Sequence, residues 1–113
     1  MKILKAREKD ILIIELKGRL DAESSKNIYD EFLGLFKSTD KKFIIECTDL
    51  EFLSSAGIRL FYIIGKDSLK NQTKIFFSNP NENIRKVFEL VDFYSDFPVY
   101  KDMNEAISVM NLE

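Results

Sequence analysis

The chain contains no histidine. That excludes a Ser-His-Asp or Cys-His nucleophile system built within it, and it removes a principal zinc ligand. There is one cysteine, Cys47, so no disulfide can close within the chain and no thiolate metal site can be made from it alone. Such usage fits a reducing compartment. Cys47 stands in an apolar strand pattern and reads as a buried small hydrophobe rather than a reactive thiol. Four glycines leave little material for a cofactor cradle, and neither a dinucleotide-type glycine motif nor a phosphate-loop lysine motif occurs. A nucleophile elbow is missing too. These absences argue against an enzyme, and neither cofactor nor metal is expected. Asp21 and Asp49, each after a strand, are turn and cap residues by default, and two carboxylates do not amount to a cation site.

Long apolar runs are also lacking. Ile11 to Ile14 is closed by Glu15, too short for a signal-peptide core, and nothing approaches a membrane span. The chain is therefore expected to be cytoplasmic, with no membrane contact. Net charge is −2, from 17 basic and 19 acidic residues that are mixed along the sequence. Lys41-Lys42 is the nearest thing to a basic run and reads as the solvated start of a strand. Nucleic-acid binding, which concentrates Lys and Arg on one face, is not expected.

What is present is an ordinary globular composition: 113 residues, 45% hydrophobic and 32% charged. That is enough for a single domain over residues 1–113 with one core. Ile3 to Arg7 predicts a strand, Glu8-Lys9-Asp10 a polar turn, and Ile11 to Lys17 a second strand, which together make an antiparallel hairpin. Asp21 or Ser24 caps a helix over about 23–38, with Ile28, Phe32, Leu35 and Phe36 at helical spacing. After a polar loop, Phe43 to Thr48 reads as a central buried strand. A helix over about 55–70 carries Ile58, Leu60, Phe61, Ile63 and Ile64 and should be the most buried one. Ile58, Phe61 and Tyr62 should turn inward.

Thr73 to Ser78 predicts the next strand. Asn79-Pro80-Asn81 opens a helix with Ile84, Val87, Phe88 and Val91 on one face. Asp96 to Tyr100 is a short extended piece that Pro98 assigns to an edge, and Phe93, Tyr94 and Phe97 form a cluster packed beside the core. Asp102 caps a last helix bearing Ala106, Ile107 and Met110. The order is β-β-α-β-α-β-α-β-α. Strands alternate with helices after the hairpin, so the expected fold class is α/β, a mixed four- to five-stranded sheet with helices packed against it.

One stretch carries the functional signal. Asp49-Leu-Glu-Phe-Leu-Ser-Ser-Ala-Gly-Ile-Arg59 places Ser54, Ser55 and Gly57 where a short loop gives way to the apolar helix. A helix start leaves N–H groups without intrahelical partners and carries partial positive charge. A serine there caps the helix, and a phosphate there is well accommodated. One small site with two charge states is a switch. Arg59, in the first turn of that helix, reads as a solvated arginine that can also pair with an acid or a phosphate.

Three segments together, Gly18-Arg-Leu-Asp21, Asp49-Leu50 and Ser54-Ser-Ala-Gly-Ile58, resemble the STAS domain of the anti-sigma factor antagonists. The resemblance extends over nearly the whole chain, in length and in element order. It implies a partner-switching protein that binds an anti-sigma factor, often also a serine kinase. Phosphorylation of a signature serine breaks that complex, and a phosphatase restores it. The commonest family pattern is Asp-Ser-Ser/Thr-Gly, with the acceptor directly before the glycine. Here Ala56 holds that place, Ser55 precedes it, and Ser54 stands where aspartate is usual. Ser55 is accordingly the candidate phosphoacceptor, with Ser54 second. Asp21, Asp49, Ser54, Ser55, Ala56, Gly57 and Arg59 are the candidate partner-binding residues. The alternative that Ala56 raises is a phosphorylation-independent STAS scaffold for a protein partner or small ligand.

Overall fold

A computed structural model describes residues 1–113. The hairpin forms as expected: β1 (Lys2–Glu8) lies antiparallel to β2 (Ile11–Leu20). Helix α1 (Ala22–Phe36) follows, then β3 (Lys42–Glu46), β4 (Leu50–Leu53), α2 (Ser55–Lys70), β5 (Lys74–Ser78), α3 (Glu82–Leu90), α4 (Phe93–Asp96), β6 (Val99–Tyr100) and α5 (Met103–Asn111). The main sheet runs β1-β2-β3-β5-β6, and β4 pairs with β2 off that path. Apart from the hairpin, every pairing is parallel, as crossovers through helices require.

Period-two alternation decides the two faces of this sheet. Along β2, Leu12, Ile14, Leu16 and Leu20 enter a large core with Phe32 and Phe36 of α1, Phe43 and Ile45 of β3, and Phe61 and Ile64 of α2. Ile11 points the other way, into a smaller core with Ile44, Phe76, and Ala106 and Met110 of α5. β3 is central, as its consecutive apolar residues demand, and β6 after Pro98 is an edge strand. Asp102 caps α5 by accepting the Glu105 N–H at 2.8 Å. Cys47 is fully buried, and burial pushes its thiol pKa up to about 12.

Some elements differ from expectation. The sheet has six strands because residues 50–53 form β4, where the sequence suggested a loop. A four-residue segment with two exposed central residues has no alternation to reveal it, and its strand character comes from pairing with β2 beyond a bulge at Gly18/Arg19. Gly18 sits there at φ +106°, a conformation that favours glycine. Residues 93–96 form a one-turn helix, so the extended piece shrinks to Val99–Tyr100. Helix α2 buries Gly57, Leu60, Phe61, Ile64 and Ser68, more than any other helix. Ile58 and Tyr62 are only half-buried, and Ile63 is exposed. Phe93 is fully buried with Phe97 stacked on it at 4.5 Å, whereas Tyr94 is exposed. No helix is long and apolar enough to cross a membrane.

Candidate functional site

The site is assembled where β2 and β4 both end. Their register places Leu20 beside Leu53, so the next residues, Asp21 and Ser54, emerge side by side from the carboxyl ends of two parallel strands. Each starts a helix. Asp21 caps α1 by accepting the Ser24 N–H at 3.1 Å, and the Ser24 hydroxyl accepts the Asp21 N–H in return at 3.1 Å. The Ser24 backbone N–H, above all, holds the Asp21 carboxyl below the usual carboxylate range.

Ser54 caps α2. Its Oγ accepts the Gly57 N–H at 3.1 Å and donates to the Leu20 carbonyl at 3.2 Å. Its backbone N–H donates to the same carbonyl at 3.0 Å. One oxygen of β2 thus fixes where α2 begins. Gly57 makes that approach possible. A Cβ there would lie 2.8 Å from the Leu20 oxygen, 2.7 Å from Leu53 Cδ1 and 2.9 Å from Leu20 Cγ. The need is for space, since Gly57 is helical and has no positive φ.

Ser55 is different. It is the first residue of α2, it is exposed, and the cap is made by its neighbour. Ala56 is half-buried and Arg59, one turn on from Ser55, is exposed. The sequence-derived residues Asp21, Ser54, Ser55, Ala56, Gly57 and Arg59 therefore gather around the start of α2.

Asp49 does not join them. It lies in the turn that precedes β4, so five residue steps along that strand, about 16 Å at the usual rise, separate it from Ser54. Asp49 accepts the Gly18 N–H through its carbonyl at 3.0 Å, and its exposed carboxylate lies 3.7 Å from Lys17 Nζ. Asp21 and Asp49 line different clefts, of about 780 and 510 Å³, and no group of three His, Cys, Asp or Glu side chains gathers to hold a metal.

Two residues at the site escaped the sequence reading. Arg19 and Phe52 face each other across the β2–β4 pair, with the guanidinium 4.1 Å from the ring centroid. Both are exposed. This is a cation–π platform between the Asp49 turn and the α2 start. Arg19 was visible in the Gly-Arg-Leu-Asp segment, but its partner is defined only once β4 is known to be a strand.

Comparison with known proteins adds three findings. The family model of the STAS domain matches residues 2–106. A Bordetella bronchiseptica protein, BtrV, named as a candidate anti-sigma factor antagonist, is 24% identical over 106 residues, covering 94% of this chain and 91% of that protein. Among solved structures, a candidate anti-sigma factor antagonist from Thermotoga maritima superposes with a TM-score of 0.86 at 17% identity, over 94% of this chain and 92% of the other. The anti-sigma factor antagonist SpoIIAA in its unphosphorylated form gives 0.80 at 19% identity, over 99% and 98%. The phosphorylated form of SpoIIAA, from Bacillus, gives 0.72 at 19% identity, over 96% and 99%. At these identities the structural likenesses speak for the fold.

Proposed function

The chain belongs to the STAS domain family, and from that premise we propose that it is a cytoplasmic anti-sigma factor antagonist switched by phosphorylation of Ser55. In this reading it is a binding module, not an enzyme. Its partner is an anti-sigma factor that also acts as a serine kinase, and a phosphatase reverses the modification. The observation that carries the reading is the division of labour between the two serines. Ser54 is held in the cap through two hydrogen bonds, whereas Ser55 is exposed beside it at the positive end of α2. A kinase can reach Ser55 without unmaking the helix start.

The consequence for binding follows from charge. A neutral hydroxyl fits a close interface. A phosphoryl group brings roughly −1.5 to −2 charges and a demand for solvation. One uncompensated charge in an interface costs several kcal/mol, on the order of a thousandfold in affinity. Asp21, Gly57 and Arg59 would share the contact surface around Ser55, and Asp49 would extend it along β4. Support by likeness comes from relatives named as anti-sigma factor antagonists and from SpoIIAA, solved in both phosphorylation states.

A pull-down from native cytosol with and without ATP tests the proposal. The expected outcome is capture of a kinase-type ATPase that ATP releases, one phosphate added to the wild-type domain, and release abolished by Ser55→Ala. Ser55→Asp should weaken capture partially, since a carboxylate carries one charge on a planar head. Labelling of Ser54 in the Ser55→Ala variant would move the site and keep the switch. If neither serine is labelled and both substitutions leave capture unchanged, the second reading stands. That reading is a STAS scaffold that binds a protein partner or small ligand without covalent control, and the half-buried Ala56, which brings no hydroxyl to the position before Gly57, is what favours it.

A further inference from the structure

Asn81 does more than start α3. Its Oδ1 accepts the Ile84 N–H at 3.1 Å, an ordinary N-cap. Its Nδ2 faces three backbone carbonyls of another segment: Leu50 at 2.8 Å, Thr48 at 3.3 Å and Cys47 at 3.4 Å. Those carbonyls belong to the turn that carries Asp49 and to the first residue of β4. Three carbonyl oxygens pointed at one spot repel one another, and they stay together when a donor sits among them. An amide NH₂ has two hydrogens for the purpose, so one carbonyl accepts the closest bond and the other two share the remaining hydrogen. Asn79, in the same β5–α3 connection and at φ +55°, adds a second tie by donating to the Thr48 hydroxyl at 2.6 Å.

We propose that Asn81 is a positioning residue for the Asp49 side of the docking surface. Its amide fixes the Cys47–Leu50 turn and hence the point where β4 begins. The turn is anchored at its two ends, where Cys47 and Leu50 are buried in the core and the Cys47 N–H donates to the Ser78 carbonyl at 2.9 Å. Between them Leu50 N–H reaches the Cys47 carbonyl at 3.3 Å, the Asp49 carbonyl accepts from Gly18, and Thr48 and Asp49 are exposed. Without the amide, the Asp49 carboxylate loses its defined place beside Lys17. The claim rests on the reading above in one respect, namely that the Asp49 turn touches the partner.

Two substitutions separate clamp from cap. Serine is as good an N-cap as asparagine, but its hydroxyl is too short to reach the carbonyls. Aspartate keeps the cap acceptor and the length, and presents a carboxylate to them. Amide hydrogen exchange of the intact domain, resolved by residue, is the primary measurement. The reporters are the Leu50 and Gly18 amides, which donate to the Cys47 and Asp49 carbonyls of the turn. Asn81→Ser should speed their exchange at least tenfold, and Asn81→Asp should speed it more, while the Ile84 amide stays protected in both. Unchanged exchange at Leu50 and Gly18 with Ile84 protected would overturn the proposal, and so would equal loss across the domain. The anti-sigma factor captured by the wild-type domain is then the second probe. Weaker capture by Asn81→Ser and by Asp49→Ala alike supports positioning of a contact. Faster exchange with capture unaffected by either change would overturn the role in docking, while the Ser55 reading would be untouched.

Discussion

The two halves of α2 are each seated on a glycine, yet they are built for different work. At the amino end, Gly57 lies against the Leu20 carbonyl and the Leu20 and Leu53 side chains, and that contact sets the place of Ser54, Ser55 and Asp21. At the carboxyl half, Gly65 lies under Phe97, whose ring would come within 2.5 Å of an added Cβ. Around it Tyr62 stacks edge-on to Phe93 and Phe97 and donates to Asp96 at 2.5 Å. One end rests on backbone and leaves a hydroxyl open to solvent. The other rests on aromatic rings, which can shift. The same residue type thus serves as a rigid register mark in one place and as packing clearance in the other.

The sharpest way to break this contrast is Gly57→Val. The backbone oxygen of Leu20 cannot move aside, so overpacking should destabilise the domain by about 3 kcal/mol or more and abolish partner capture. Urea unfolding and the pull-down read the two effects. Gly65→Ala, by contrast, gains about 1 kcal/mol of helix propensity against displacement of one ring. Its net change should stay within about 1 kcal/mol, with capture intact. A loss at Gly65 as large as at Gly57 would refute the distinction.

A smaller effect separates the two serines. Ser54→Ala removes the cap and should cost about 1 kcal/mol. Ser55→Ala should stay within about 0.5 kcal/mol, as surface changes away from caps do. Paired melts of the two variants check this directly, and the reverse ranking would show that Ser55 is the structural residue.

The least effect concerns the aromatic contacts farther along the helix. Tyr62 has its pKa raised to about 12, first by its hydrogen bond to Asp96 and then by burial. The folded value exceeds the unfolded one, near 10. The stability it contributes is therefore complete below about 10 and is lost as pH rises through about 12. Tyr29 and Tyr94 are raised too, by a hydrogen bond to Asp67 and by burial respectively, so ultraviolet titration of phenolate formation should show a late phase that Tyr62→Phe reduces by one tyrosine. A late phase that Tyr62→Phe leaves unchanged would remove the Tyr62–Asp96 bond from the picture.

Much of this is legible in the sequence. The polar turn Glu8-Lys9-Asp10 between two strand-like segments announces the β1–β2 hairpin, and the helical spacing of Ile28, Phe32 and Phe36 announces α1, because each pattern reflects local geometry. The cap at Asp102 follows from residue type and place alone, whereas sequence leaves the α1 cap between Asp21 and Ser24 and places the α3 start only within Asn79–Asn81. β4 was not legible, since Leu50–Leu53 has two exposed residues in its middle and becomes a strand through β2. With β4 hidden, the Arg19–Phe52 platform and the distance of Asp49 from Ser54 were hidden as well. The inward face of α2 differs in part from the expected one. Phe61 is inside as expected, but Ile58 and Tyr62 are half-buried, and Gly57, Leu60 and Ile64 complete the buried face.

By itself, then, the sequence determined that the chain has no histidine and a single cysteine, where the longer helices and strands lie, and that two serines and a glycine stand at a helix start. These are properties of composition and local period. Tertiary structure decided which serine is bound and which is free. That depends on the Leu20 carbonyl, 34 residues away from Ser54 in the chain, being delivered by the parallel β2–β4 pair to the one position where it can accept from Ser54 and leave Ser55 facing water. No local pattern encodes a hydrogen bond whose acceptor arrives from another strand.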